Sequence, residues 1–194
     1  MIEDIVAEQA RPPEPPAKPK PSSTRVIVEW VVILLGAVVV AFLVKTFLLQ
    51  AFYIPSASME PTLKVKDRVL VNKLSYDFHD VNRGDIIVFK TPPGETNLDI
   101  KDLIKRVVGL PGETVEARDG RVLINGNKID DSYLSNGVTT SSFPPQKIPP
   151  GDVWVMGDNR SNSKDSRFFG PISEDLIVGR AFIRVWPLTS FGFL

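Results

Sequence analysis

Cysteine is absent from this chain of 194 residues, and histidine occurs once, at His79. Without cysteine there is no disulfide framework, no thiol nucleophile and no thiolate-bound zinc or iron–sulfur site, and the redox compartment stays open. A Ser-His-Asp triad would have to use His79, which lies in the polar stretch Tyr76-Asp77-Phe78-His79-Asp80 and reads as part of a solvated loop. Neither sign of charge is in excess: 23 lysines and arginines balance 23 aspartates and glutamates, and the basic residues form no block. Nucleic acid is therefore not an expected partner. No internal repeat is evident, and an apolar fraction of 43% gives room for one anchored domain with a proper core.

What is present is strongly segmented. Residues 1–25 carry Pro12, Pro13, Pro15, Pro16, Pro19 and Pro21, which rule out a helix there and predict an extended, disordered tail. Residues 26–49 form an apolar run, unbroken over 30–44 and long enough to cross about 30 Å of hydrocarbon as a transmembrane helix. Glu29 and Trp30 mark one interface, and Lys45 can snorkel at the other. A cleaved signal peptide is the competing reading, because Ser56-Ala57-Ser58 has a small-x-small pattern; the length of the apolar run and the long tail of mixed charge argue against it. Arg11, Lys18, Lys20 and Arg25 flank one end against Lys64, Lys66 and Arg68 beyond the other, a narrow balance towards a cytoplasmic amino terminus.

Residues 50–194 change period. Short segments rich in valine and isoleucine, at 68–72, 85–90, 103–110, 114–118, 121–124, 152–156 and 178–186, predict strands. Asp119-Gly120 and Asn125-Gly126 suit two-residue hairpin turns, whose central positions need positive φ. The polar, proline-rich stretch 132–150 reads as a surface excursion. Short strands joined by hairpins predict a mainly β fold: an antiparallel, partly closed domain behind a single N-terminal helix.

Ser56-Ala57-Ser58-Met59-Glu60-Pro61-Thr62-Leu63 places two hydroxyls one residue apart, a few positions beyond the apolar run. At about 3.3–3.6 Å per extended residue, Ser58 lies within roughly 30 Å of the membrane end near Leu49, so its substrate is expected at the membrane too. An alcohol needs a base to take its proton. A lysine serves if burial strips the water that stabilises its ammonium form, and lowering it from about 10.4 to about 8 costs roughly 3 kcal/mol. Lys105 is the best candidate, since alternation in Leu103-Ile104-Lys105-Arg106-Val107-Val108-Gly109-Leu110 gives it Leu103 and Val107 as neighbours on one face. Arg106 cannot substitute, because guanidinium keeps its proton. Edge-strand charges guarding against aggregation would explain both residues equally well.

A third dense segment runs Gly157-Asp158-Asn159-Arg160-Ser161-Asn162-Ser163-Lys164-Asp165-Ser166-Arg167-Phe168-Phe169-Gly170. Counted as a calcium loop from Asp158 it fails, with Ser163 where glycine is needed and Phe169 where a bidentate glutamate belongs. A solvated turn with an Asp165–Arg167 surface ion pair is the plain alternative. Arg83-Gly84-Asp85 precedes a valine-rich strand and reads as its opening turn, rather than as an adhesion motif.

The segment 56–63, Arg83-Gly84-Asp85-Ile86-Ile87-Val88-Phe89-Lys90, Lys105-Arg106-Val107-Val108-Gly109-Leu110-Pro111-Gly112-Glu113 and the segment 157–170 resemble, in order, the motifs of the bacterial type I signal peptidases. The likeness runs from the anchor almost to the carboxyl terminus, through Gly179-Arg180-Ala181-Phe182 and Trp186-Pro187-Leu188. It implies a membrane-bound serine endopeptidase that removes signal peptides from exported preproteins, with Ser58 as nucleophile and Lys105 as general base. It further implies an oxyanion hole made by the Ser56 hydroxyl and the Ser58 N–H, a lysine-orienting hydroxyl at Ser163, and a supporting Asp165–Arg167 ion pair. Substrates with small residues at the first and third positions before the cut, a lipid bilayer as the other partner, no metal or cofactor, and an extracytoplasmic catalytic domain over 50–194 follow from the same likeness. Ala57 and Glu60 occupy positions that vary in the family, and Glu60 puts a charge close to the nucleophile. Rival readings are a self-cleaving Ser/Lys protease on a related scaffold and a catalytically silent, membrane-tethered peptide-binding module.

Overall fold

The computed structural model describes residues 23–94 and 100–194. Most of the proline-rich tail expected over 1–25 lies outside the described residues. The chain divides into two compact units, at residues 1–41 and 42–194.

Helix α1 spans Ser23–Leu43, most of it in the first unit. It starts three residues before the expected boundary, because no proline lies between Pro21 and Pro55 to oppose helix there. Arg25 Nε donates to Glu29 Oε1 at 3.0 Å one turn away. The helix over Thr24–Leu43 contains an 18-residue window of mean hydropathy 2.9, and is long and apolar enough to cross a bilayer.

The helical segment also ends earlier than the expected 49. A π turn covers Val44–Leu48, and Leu49 already belongs to strand β1 (Leu49–Tyr53), which pairs with β2 (Arg68–Asn72) from Leu49↔Asn72 to Tyr53↔Arg68. Sheet pairing there overrides the apolar continuity that suggests more helix.

The second unit is mainly β and antiparallel at every pairing. After β2 come the short helix α2 (Ser75–Phe78) and strands β3 (Ile86–Lys90), β4 (Asp102–Gly109), β5 (Thr114–Arg118), β6 (Arg121–Ile124), β7 (Asn127–Lys128), β8 (Phe143–Lys147) and β9 (Asp152–Met156). The chain closes with α3 (Ser166–Phe169), β10 (Ile172–Ser173), β11 (Ile177–Trp186) and β12 (Gly192–Phe193). The larger sheet runs β1-β2-β11-β3-β4-β9-β10 with β12 against β11, and the smaller one runs β7-β6-β5-β8. Three register shifts interrupt β11 where it pairs with β2 and β3, and such bulges bend a strand and curl its sheet.

Both hairpin turns form where the sequence places them. Asp119 and Gly120 have φ of 53° and 76° between the paired Arg118 and Arg121. Asn125 and Gly126 have φ of 51° and 79° between the paired Ile124 and Asn127. The excursion expected over 132–150 contains a strand after all: β8 pairs with β5 at the rim of the smaller sheet, and Pro144 and Pro145 fall in the register shift between the Ala117↔Phe143 and Val115↔Gln146 pairs.

Strand β3 is buried on both faces, which explains its unbroken apolar run. Ile86 and Val88 join one cluster with Ile54, Met59, Leu63 and Ile104, while Ile87 and Phe89 join another with Val107, Val153 and Val155. A third cluster, around Trp154 and Met156, ties the smaller sheet to β9. Met59 and Leu63, both 0% exposed, therefore root the hydroxyl-bearing segment in the core of the larger sheet.

Candidate active site

Ser58 sits on a single 3-10 turn, Ala57–Met59, between a solvent-facing Ser56 and the sunken Met59. Lys105 comes from the middle of β4, opposite Ile87 on β3. Its Nζ lies 2.8 Å from Ser58 Oγ and donates to the Ile104 carbonyl at 3.0 Å. Only 3% of Lys105 is exposed, and burial lowers its amine from the usual 10.5 to about 8, against the opposing pull of Asp165 and then Asp158. An amine so placed is uncharged over an accessible pH range and within reach of an alcohol proton. Ser56 Oγ lies 3.4 Å from Ser58 Oγ.

The loop after β9 holds this pair from behind. Gly157 has no room for a side chain: a Cβ there would lie 2.3 Å from Ser163 Oγ and 2.4 Å from the Ser58 carbonyl oxygen. Asp158 receives Arg106 through two bonds, from Nε at 2.9 Å and Nη2 at 2.7 Å, and accepts from Thr62 Oγ1 at 2.5 Å. One carboxylate thus joins the residue after Lys105 to the segment after Ser58. Asp165, 0% exposed, accepts from Arg167 Nε at 2.8 Å and Nη2 at 2.9 Å, and from the Gly157 N–H at 2.9 Å. It also caps α3 through the Arg167 N–H.

The family profile described as signal peptidase, peptidase S26 matches residues 27–186. The chain belongs to that family. It is 42% identical to signal peptidase I of Leptolyngbya laminosa over 186 residues, covering 94% of this chain and 91% of that protein. Signal peptidase IB of Staphylococcus aureus (strain MRSA252) is 35% identical over 184 residues, covering 86% of this chain and 93% of that protein. A crystal structure of signal peptidase I from Enterococcus faecalis V583 is 33% identical over 53% of this chain and 97% of that one, with a TM-score of 0.45.

Family membership makes the chain a peptidase, a hydrolase of peptide bonds. The residues singled out in its sequence converge unevenly. Ser56, Ser58 and Lys105 lie within hydrogen-bond distances of one another in sequence order, Ser56 to Ser58 and Ser58 to Lys105. Asp165 and Arg167 form an ion pair whose side chains are 0% and 8% exposed, so the surface pair of the plain alternative is not what folds here. Ser163 Oγ is buried but bonds to nothing among the described residues, so the lysine-orienting contact expected of it is not made in this structure. His79 is exposed, with Nδ1 3.0 Å from the Asp80 carbonyl oxygen. In Arg83-Gly84-Asp85, Arg83 pairs with Glu113 at 2.6 Å and Asp85 with Arg180 at 2.9 Å, the bracing of a turn.

Sequence reasoning missed the peptidase's Thr62, Arg106, Asp158, Asn159 and Tyr133. Tyr133 comes from the supposed surface excursion, yet its ring lies 4.2 Å beneath the Arg106 guanidinium and its hydroxyl accepts from Arg160 at 3.0 Å. Burial pushes the Tyr133 phenol up. The one available signal was opposite charge within the quoted motifs, Arg106 beside Lys105 and Asp158 at the head of the polar loop.

Proposed function

We propose that this peptidase is a membrane-bound serine endopeptidase that cleaves N-terminal signal peptides from exported preproteins, with Ser58 as nucleophile and Lys105 as general base. The carrying observation is the 2.8 Å approach of a buried amine, lowered to about 8, to the Ser58 hydroxyl. Neutral Lys105 takes the Ser58 proton as Oγ attacks the scissile carbonyl. The ammonium then protonates the departing amine of the mature protein, leaving an ester on Ser58. Water that gives its proton to Lys105 hydrolyses the ester and frees the signal peptide.

The oxyanion of each tetrahedral intermediate is held by the Ser58 N–H and the Ser56 hydroxyl, and losing one such donor typically lowers the rate by about 10²–10³. Asp165 and Arg167 hold the loop that carries Ser163, whose buried hydroxyl, unpaired among the described residues, is left to orient the lysine during the cycle. Substrate enters as an extended chain with small residues at the first and third positions before the cut. The helix over Thr24–Leu43 supplies the anchor in the lipid bilayer, with the amino terminus cytoplasmic and residues 50–194 extracytoplasmic, where exported chains emerge.

Purified full-length protein, incubated with a preprotein bearing an Ala-X-Ala site, is expected to cut once after that site. Ser58→Ala and Lys105→Ala are expected to abolish the cut. Full activity in either variant overturns the dyad; an inert wild-type chain that still binds the preprotein indicates a silent tethered module, and cleavage of the chain alone indicates a self-processing protease.

A further inference from the structure

The peptide group between Ala57 and Ser58 is trans and planar, so its C=O and N–H point in opposite directions. Whatever fixes the carbonyl therefore aims the N–H. The Ala57 carbonyl accepts from Asn159 Nδ2 at 3.1 Å and from the Glu60 N–H at 3.1 Å, which fills both lone pairs of the oxygen. The next peptide group, which begins at the Ser58 carbonyl, is held by the backbone N–H of the same Asn159 at 3.0 Å. One residue, 102 positions away from Ala57, thus grips both peptide planes that flank the nucleophile.

The direction of the Asn159 amide is itself set. Ser161 Oγ donates to Asn159 Oδ1 at 3.2 Å, which turns Nδ2 towards the turn, and Asp158 next to it is anchored on Arg106 and Thr62. We infer that the Asn159 side chain is a positioning residue for the oxyanion hole: by holding and polarising the Ala57 carbonyl it aims and strengthens the Ser58 N–H on the far side of the same peptide. Hydrogen bonds in a chain polarise one another, so a donor on the C=O makes the N–H of that amide a better donor. This inference rests on the Ser58–Lys105 reading and extends it to a residue that touches neither reacting atom.

A residue that acts on the oxyanion donor alone has a distinctive kinetic signature. Asn159→Ala leaves Lys105 with the same charged neighbours and leaves the extended substrate with the same strands. The expected result is a kcat about 10- to 50-fold lower, below the full 10²–10³ loss of an oxyanion donor because the N–H is misaimed rather than removed. KM and the midpoint of the acidic limb of the pH profile stay at wild-type values. Asn159→Asp, which keeps Oδ1 but faces the Ala57 carbonyl with an acceptor, loses at least as much, and its added charge moves the acidic midpoint upward.

The experiment measures kcat, KM and pH profile of the full-length protein on a preprotein with an Ala-X-Ala site. It also measures inhibition by an Ala-X-Ala peptide aldehyde, whose carbonyl is added to by Ser58 Oγ with the serine proton passing to Lys105, and by the free-acid product peptide. Asn159→Ala is expected to weaken the aldehyde by the same factor as kcat/KM while the product peptide binds as before. Wild-type kcat, or a loss that appears wholly in KM, overturns the inference; so does an acidic midpoint that moves in Asn159→Ala, which would place the effect on Lys105. A variant that unfolds is recognised by lost product-peptide binding and is replaced by Asn159→Ser, for which the same factor is expected. If Ser58→Ala and Lys105→Ala remain active the dyad reading itself has failed; if they are dead and Asn159→Ala is fully active, only this inference has.

Discussion

Replacing Lys105 by methionine is expected to stabilise the protein at neutral pH and to lose that advantage in alkali. The lysine is protonated in both folded and unfolded chains at about pH 7, but its folded value is lowered from 10.5 to about 8. The folded state therefore holds a disfavoured charge, a penalty of about 3 kcal/mol at roughly 1.36 kcal/mol per unit. Between the two values the unfolded chain keeps the proton that the folded chain has released, so stability rises with pH through that window. Below about 8 the whole penalty is felt, and above about 10.5 it has gone. Methionine has similar length and no charge. Its gain near pH 7 is offset by roughly 1 kcal/mol for each lost Nζ hydrogen bond, to Ser58 and to the Ile104 carbonyl. The difference between the two proteins should still change by about 3 kcal/mol from about pH 7 to about pH 11, whatever the packing of methionine. Urea unfolding of both full-length proteins in detergent, followed through the fluorescence of Trp154 (3% exposed), measures it. A stability difference that stays constant over this range, to within about 0.5 kcal/mol, refutes the claim that desolvation sets the base.

Other perturbations separate geometry from charge. Gly157→Ala forces a Cβ to within 2.4 Å of the Ser58 carbonyl oxygen and is expected to lower kcat/KM at least 100-fold while destabilising the fold by about 1–3 kcal/mol; a fully active variant would show that the turn is not tightly held. Asp165→Asn removes the larger of the two charges that raise Lys105, so the acidic limb of the pH profile should move to lower pH. The same change leaves Arg167 buried without its counter-ion, and denaturant unfolding should show a loss of about 3 kcal/mol or more. An upward or absent shift of the limb would reject the charge assignment.

Much of the β domain is written in local pattern. Strands 68–72, 114–118, 121–124 and 152–156 begin and end where alternation and turn residues put them, and both hairpins use the Asp-Gly and Asn-Gly pairs whose positive φ the turns require. Besides the two-residue strands Asn127–Lys128, Ile172–Ser173 and Gly192–Phe193, two longer strands escaped, for opposite reasons. Leu49–Tyr53 continues an apolar run and has no boundary of its own, while Phe143–Lys147 contains two prolines that are tolerated because it lies at a sheet rim and they fall at a register shift.

The site is less legible than the fold. Residue types and order announce an alcohol, an amine and a polar loop, because these are properties of the side chains themselves. Nothing local distinguishes Lys105 from an edge-strand charge, since its burial comes from packing around β4, and its partner Ser58 is 47 positions away. Thr62 meets Asp158 across 96 positions, and Tyr133 reaches Arg106 from a stretch whose composition reads as solvent-exposed. Residue identity and spacing of a few positions set the chemical inventory, the apolar helix and the antiparallel hairpins. Which amine loses its water and which carbonyls are held depends on how distant segments pack, because desolvation and hydrogen-bond direction belong to the space between segments rather than to any segment alone.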